Sequence, residues 1–261
     1  MIKFFRKIRQ NLLTKNKFSK YLLYAIGEIA LIMIGILMAL QVNNWNELRK
    51  LRAQEVKYIK SIKSDLTDEL KDNNEMIAYR SAKAKAASRL LTYTRPETVE
   101  EFRTYADTVG LVYIWGSFTP KDNTYKELIS SGNLNLISDD SLRYYLLELD
   151  KMHVGIANLE HHMRREYEQY LYDATWPNTN FGLFADFEGL ANTGSLESKE
   201  DTWVTDPDLA AMASDFEWTQ NNLTIKNGLK LAAMNNLVLA ENHTIMRKLL
   251  EKMIAISNRD L

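Results

Sequence analysis

Cysteine is absent from the 261 residues of this chain. That absence excludes a disulfide-stapled fold, a zinc or iron–sulfur site built on thiolates, and a cysteine nucleophile. Proline and glycine are scarce, at 4 and 10 residues, which excludes a fibrous repeat built on either of them. Hydrophobic residues make up 46% of the chain, so the sequence predicts a folded protein with a core.

Acidic residues are missing from the first 20 positions, which carry seven of the 33 lysines and arginines. The remaining residues hold 26 bases against 34 acids, so a basic head precedes an acidic body. The formal net charge of −1 hides this asymmetry. A local anionic surface is therefore expected as the partner of the head, and the chain as a whole is not a polyanion binder.

Residues 21–40 form a long apolar run that contains a single charge, Glu28. Twenty helical residues at about 1.5 Å each span the hydrocarbon core of a bilayer, about 30 Å. Two alternatives are a buried helix of a soluble protein, which the basic flank disfavours, and a cleaved signal peptide. The polar sequence QVNNWNE after the run offers no small-residue cleavage site. An uncleaved transmembrane helix over residues 21–44 is the prediction.

The basic head, residues 1–20, is expected to stay in the cytoplasm by the positive-inside rule. That orientation places residues 45–261 in the periplasm of a bacterial inner membrane. Apolar residues recur in the head at helical spacing, and Lys3, Arg6, Lys7 and Arg9 lie between them. The pattern predicts an amphipathic helix whose four bases bind the anionic membrane surface. A nucleic-acid partner is disfavoured, because a helix tied to a bilayer already has phosphates to contact.

Glu28 is the unusual residue of the apolar run. Ile29–Leu40 supplies only 12 of the about 20 apolar residues that a span needs, so the residues before Glu28 are expected to complete it. A carboxylate there costs ~2.5–3.5 kcal/mol unless it is protonated or faces protein. Gly35 and Ala39 fall on about the same helical face and allow close packing. Glu28, Gly35, Ala39 and Gln41 are therefore predicted to form a membrane-helix interface in a homo-oligomer; the alternative places Glu28 among the cytoplasmic head groups.

Three segments near the N-terminus, MIKFFRKIRQNLL (1–13), KYLLYAIGEI (20–29) and GILMALQVNNWNE (35–47), carry a specific resemblance. The chain resembles an uncharacterised family of single-pass inner-membrane proteins from Bacteroidetes, a domain of unknown function. TYKELISSGNLNLI (124–137) is similar to a second, less specific signature of that family. The resemblance implies an anchored, outward-facing helical domain, and it implies no activity, cofactor or catalytic residue.

The rest of the chain predicts an all-α protein, in which the transmembrane helix continues into a long helix and an extracytoplasmic bundle follows. Apolar residues at helical spacing predict a helix from Asn46 to about Thr92, with Ile59, Ile62 and Leu66 either extending the oligomer seam or packing within their own bundle. A second helix is expected to start at a cap formed by Thr98 and Glu101 and to reach about Tyr113. A short helix capped by Asp122 is expected next. A helix from Ser138 to about Tyr172 and a helix or helix pair over Asp206–Ser257 are expected to follow. Residues 176–205 are predicted to be a loop-rich insertion of the periplasmic domain.

Side chains that could carry chemistry are few. His161, His162, Glu166 and His243 are candidate metal ligands, but their spacing is not diagnostic and a solvated helix face is the more economical interpretation. Asp139 and Asp140 suit a helix N-terminus better than a catalytic pair. Ser131 lacks the glycine pattern of a hydrolase elbow, and no phosphate-binding glycine loop is present. No catalytic, cofactor-binding or metal residue is therefore assigned.

The function expected from these observations is a non-enzymatic, oligomeric scaffold or partner-binding protein of the bacterial cell envelope. Its partners would be the lipid bilayer, further copies of itself and another envelope protein. One alternative is a subunit of an oligomeric channel or transport accessory with Glu28 and Gln41 facing a shared axis. An envelope hydrolase or sensor enzyme is a third hypothesis, which a deep polar pocket in the bundle would support.

Overall fold

Residues 18–180, 182–195, 197–200 and 203–259 are described by the structure, a computed structural model. The all-α prediction is confirmed, since helices account for nearly all the regular structure in these ranges. The chain divides into two compact units, Met1–Lys57 and Tyr58–Leu261.

Helix α1 runs without a break over Phe18–Leu90. The apolar run and the long helix after it are therefore one element, as predicted. Neither glycine nor proline occurs between Gly35 and the end of the helix, so nothing in this stretch removes a backbone hydrogen bond. The helix ends six residues before Pro96, close to the predicted end.

The second unit contains the end of α1 and seven further helices among the described residues. They are α2 (Val99–Tyr113), α3 (Asn123–Ser130), α4 (Asp140–Tyr167), α5 (Asp173–Thr175), α6 (Phe187–Thr193), α7 (Asp206–Asn221) and α8 (Leu223–Arg259). A wide π-helical turn, Glu168–Tyr172, joins α4 to α5, and a 3₁₀ turn spans Leu134–Leu136. Strands β1 (Ala185–Asp186) and β2 (Glu197–Ser198) pair antiparallel around α6. This small hairpin occupies the predicted loop-rich insertion.

Of the two predicted caps, the one at α2 is confirmed and the one at α3 is not, and Asp139 lies at a helix start as predicted. Thr98 and Glu101 form a reciprocal capping box at α2, and the Asp139 carboxylate accepts the Leu142 amide at α4. Asp122 precedes α3 as predicted, but its side chain makes no capping hydrogen bond. The prediction of a side-chain cap is wrong there, because the Asp122 carboxylate pairs instead with Lys126, one turn on, at 2.9 Å.

The main core lies where α1, α4 and α8 pack together. Ile59, Ile62 and Leu66 are 0%, 2% and 3% exposed and belong to this core. The expectation that they could form a seam between subunits is therefore wrong, because their own bundle already covers them. Their partners across the core include Leu146 and Leu149 of α4 and Met246 and Leu250 of α8.

A second group of buried residues joins the end of α1 to α2, the π-helical turn and the start of α8. Ala87, Tyr113, Leu171 and Leu229 are among its members. A third, smaller group consists of Phe102 of α2 with Met212 and Phe216 of α7. These two groups form much of the wall of the large cavity described below.

Candidate functional site

The first unit presents an apolar helix surface that no other part of the described chain covers. Every residue from 26 to 54 is exposed except Glu28, including large side chains such as Leu31, Ile36 and Leu37. Within the described residues, α1 is the one helix long and apolar enough to cross a membrane. Burying a leucine or isoleucine side chain is favourable by about 1.5–3 kcal/mol, so an uncovered surface of this size requires an apolar environment.

Three of the four predicted interface residues lie on one side of this helix. Gly35 and Ala39 follow Glu28 by seven and eleven residues, which are about two and three turns. Gln41 follows by thirteen residues and therefore lies about 140° away around the helix. In an unbroken helix Gln41 therefore lies away from the side that carries Glu28, and the interface of these four residues stays a prediction. If the helix associates through the side of Glu28, then Gln41 faces lipid or makes a different contact.

Glu28 itself is half-buried and takes part in an interaction within the chain. Gly35 and Ala39 give a separate reason to expect association of this helix, because a Cβ added at Gly35 meets no atom within 4 Å and a second backbone can approach closely there. Lys3, Arg6, Lys7 and Arg9, the predicted membrane-surface bases, lie outside the described residues.

The candidate metal ligands are not brought together. His162 and Glu166 form an ion pair at 3.2 Å on the surface of α4, where the His162 side chain is 60% exposed. His243 of α8 is fully buried and contacts Asn73 of α1 instead. Among the residues that the structure describes, no three metal-binding side chains cluster.

The centre of the bundle holds an ion pair that the sequence reasoning missed. The Arg80 guanidinium donates to Glu160 Oε1 at 2.7 Å, and Arg80 is fully buried. Arg80 also donates to the carbonyl of Gly116 at 2.6 Å and lies over the ring of Trp115. The Glu160 carboxylate in turn accepts the Phe118 amide at 3.1 Å. The pair thus binds both helices to the loop between α2 and α3.

Lys83 holds the same loop one turn further along α1. Its ammonium donates to the carbonyl of Ile114 and lies near the rings of Trp115 and Tyr167. Burial, reinforced by the positive charge of Arg80, lowers the pKa of Lys83 to about 7. Burial also raises the pKa of Glu160, although Arg80 opposes that shift. A positive charge at Lys83 is consequently less favourable than on a solvated lysine.

Two buried histidines flank the ring of Phe118. His153 Nε2 lies 2.6 Å from Glu69 Oε1, and the other oxygen of Glu69 accepts the Lys121 amide. His243 Nδ1 lies 2.7 Å from Asn73 Oδ1. Burial, followed by the charge of Arg80, lowers the pKa of His243 to about 4. His243 is therefore a neutral core residue at neutral pH.

Six buried side chains form what we call the buried polar cluster: Arg80, Lys83, Glu160, Glu69, His153 and His243. A regular spacing could have revealed its α1 members. Buried positions along α1 continue from Ile59 and Leu66 at alternating steps of three and four residues through Glu69 to Asn73, and after one step of seven they resume at Arg80 and Lys83. Extending the apolar pattern through charged residues would have placed them inside. The contacts fix the 114–118 loop, so the cluster has a structural role.

A large cavity lies in the second unit, between α2, α7, the start of α8 and residues 175–180 and 182–185. Its volume is about 620 Å³. Buried apolar side chains form much of its lining, and the polar part includes Thr175, Thr179, Asn180 and Thr219. The Tyr113 hydroxyl lies 2.7 Å from Thr175 Oγ1, and Asp215 accepts hydrogen bonds from Asn180. The volume falls within the ~300–1,000 Å³ typical of ligand pockets.

The insertion at residues 176–205 contributes one wall of this cavity, through Trp176, Leu183 and Phe184. The sequence indicated an ordered excursion there, but the cavity was not foreseen. Its wall combines residues more than 100 positions apart, such as Leu90 and Leu229, and no local pattern reports such a juxtaposition.

Neither a protein of curated function nor a solved structure is significantly similar to the chain. One family profile does match, over a region that begins at Glu28. The match therefore includes the 35–47 and 124–137 segments but not the first 27 residues. The profile of a family of unknown function, DUF6090, matches residues 28–180, more than half of the chain, and the protein therefore belongs to that family.

Proposed function

We propose that the protein is a membrane-anchored, self-associating scaffold or partner-binding protein of the bacterial cell envelope, without catalytic activity. The observation that carries the proposal is the apolar surface of α1, which the described chain leaves exposed from residue 29 to residue 42. A bilayer is the environment that removes such a surface from water on all sides of one helix.

The orientation follows from charge. Seven bases and no acid precede the apolar stretch, so residues 1–20 lie in the cytoplasm and the bundle lies in the periplasm of the inner membrane. The resemblance to Bacteroidetes single-pass proteins supports this arrangement. A reporter that is active only outside the cytoplasm, fused after Leu261, tests it. Activity of a cytoplasm-only reporter at that position would contradict the orientation.

Self-association is proposed to use the face of α1 that carries Gly35 and Ala39. In a bilayer, helices associate through close van der Waals contact because lipid supplies no hydrophobic drive. Leucine at position 39 would hold two backbones apart. Ala30 lies nine residues earlier and hence about 180° around the helix, so Ala30→Leu is the same change on the opposite side.

The test is the mass of the full chain in mild detergent, by light scattering after size-exclusion chromatography. The wild type and Ala30→Leu are expected to be oligomers of equal mass, whereas Ala39→Leu and Gly35→Leu shift toward the monomer. A monomeric wild type, or an oligomer that both interface variants leave intact, would contradict self-association through this face and leave a tethered bundle.

A further inference from the structure

The cavity of the second unit has the dimensions and composition of a small-molecule site. Among the residues that the structure describes, five aromatic ones line it: Phe102, Tyr105, Tyr113, Trp176 and Phe184. Leu90, Met212 and Ile225 also line it and are buried, so the deep part of the wall is apolar. Aromatic walls favour a bound molecule with rings, because edge-to-face and offset contacts between rings are favourable beyond the area that they bury.

The charge of the lining residues further restricts which molecules the cavity can bind. Among the described lining residues, the acids are Asp107, Glu197 and Asp215, and none is a lysine, arginine or histidine. Asp107 and Glu197 are exposed and so lie toward solvent, whereas Asp215 already accepts hydrogen bonds from Asn180. A carboxylate or sulfonate entering the cavity would lose its hydration and would find no cationic side chain among the described lining residues, although Arg103 lies behind the ring of Phe184.

Hydrogen-bonding groups are nevertheless present beside the apolar wall. Burial raises the pKa of Tyr105 and of Tyr113 to about 12, so both hydroxyls keep their protons at neutral pH. Tyr113 already pairs with Thr175. Such groups orient a neutral polar substituent without selecting for a charge.

We propose that this cavity binds an uncharged, ring-containing hydrophobic molecule. The inference goes beyond the scaffold function and does not depend on it, because every described lining residue belongs to the second unit. An anionic amphiphile such as a fatty acid is disfavoured by the acids of the wall.

Gly110 offers a means to fill the cavity without disturbing its wall. It lines the cavity from α2, and a Cβ built on it meets no atom within 4 Å. Leucine at 110 therefore has room for its side chain and also raises the helix propensity of α2. Gly155 of α4 is the matched control, since its Cβ likewise meets open space and it does not line the cavity. Ala106, one turn before Gly110, allows a second filling variant, Ala106→Phe.

The experiment is equilibrium dialysis of the full chain in lipid nanodiscs, with empty nanodiscs as the blank. The probes are 2-naphthol, which is uncharged at neutral pH, and 2-naphthalenesulfonate, which carries the same rings with a negative charge. We expect saturable binding of about one 2-naphthol per wild-type chain and at least tenfold weaker binding of the sulfonate. Gly110→Leu should weaken 2-naphthol binding at least tenfold, and Gly155→Leu should leave it unchanged.

Three results would overturn the proposal. They are no saturable uptake of 2-naphthol above the blank, equal affinity for the sulfonate, and equal binding by Gly110→Leu and Gly155→Leu. Thermal unfolding of each variant shows whether it is folded. If Gly110→Leu is not, Ala106→Phe provides the same comparison.

Discussion

Arg80 and Glu160, 80 positions apart in the chain, form an ion pair of 2.7 Å with both side chains almost completely shielded from water. Arg80 comes from α1 and Glu160 from α4, and both also bind the loop that joins α2 to α3. Two desolvated charges in a bundle core are tolerated only while each keeps its partner.

Removing one member of this pair is expected to be severe. Arg80→Met leaves the Glu160 carboxylate buried without its counter-ion and should lower the free energy of unfolding by about 3–5 kcal/mol. The surface pair of Arg95 and Glu217, at 3.2 Å with both side chains more than half exposed, is the control. Arg95→Met should cost less than about 1 kcal/mol. Denaturant unfolding of the full chain in detergent, followed by tryptophan fluorescence, measures both; equal losses would show that burial does not set the strength of the pair.

His243 should make the bundle sensitive to acid. Its pKa is about 4 in the folded state against 6.5 for an ordinary histidine, so the unfolded chain binds more protons between these values. This contribution is fully present above pH 6.5 and is lost as the pH falls toward 4, for a total of about 3 kcal/mol. The raised pKa of Glu160 acts in the opposite direction.

The contribution of His243 is obtained by comparing the pH dependence of stability in the wild type and in a variant that lacks this histidine. His243→Gln should flatten the fall of stability between pH 6.5 and 4, measured as the free energy of unfolding at several pH values. His162→Gln removes an exposed histidine and should retain the wild-type profile. An unchanged slope in His243→Gln would place the acid sensitivity elsewhere.

Gly228 marks a close approach between α8 and the π-helical turn. A Cβ at this position would lie 2.7 Å from Leu171 Cδ2 and 3.0 Å from Tyr170 Cβ. Leu171 is fully buried and cannot withdraw, so Gly228→Ala should destabilise the protein by about 1–3 kcal/mol. Gly155→Ala, in open space, should stabilise it by about 0.5–1 kcal/mol. Unfolding temperatures of the two variants should therefore shift in opposite directions, and a shared sign would contradict the close packing.

The two aspartates that precede helices allow a direct comparison of capping. Asp139 accepts the Leu142 amide at 2.8 Å, whereas Asp122 makes no capping bond. Asp139→Ala should cost about 1 kcal/mol. Asp122→Ala loses only an ion pair with the largely exposed Lys126 and should cost less than half as much. A larger loss in Asp122→Ala than in Asp139→Ala would be inconsistent with the two N-terminal geometries.

Local rules predicted much of the fold. The capping box of Thr98 and Glu101 and the length of α1 depend on residues close in sequence, so spacing alone identified them. Propensity did not distinguish Asp122 from Asp139, because the competing partner of Asp122 depends on the placement of Lys126.

The interior was harder to predict where it is polar. Arg80 and Lys83 resemble solvated helix residues by type, so only their spacing along α1 indicates burial, and their partners, Glu160 and the 114–118 loop, lie far away in the sequence. The cavity depends on contacts between distant segments, which the sequence does not report. Membrane placement and self-association stay predictions that rest on the apolar run and on Gly35 and Ala39.

Buried residues of α4 recur at alternating steps of four and three, from Leu142 to Tyr167. The next buried positions, Leu171 and Thr175, come at two successive steps of four. In an α-helix, each step of four residues would move the buried side about 40° further around the axis. A turn closed by i→i+5 hydrogen bonds contains more residues than an α-helical turn, so the buried side keeps facing inward. The π-helical turn therefore contains one residue more than an α-helix would need to join the same two ends. Deleting a residue from 168–172 should let the segment relax to an ordinary helix with its inward side preserved, whereas the same deletion near Gly155 would rotate everything beyond it by about 100°.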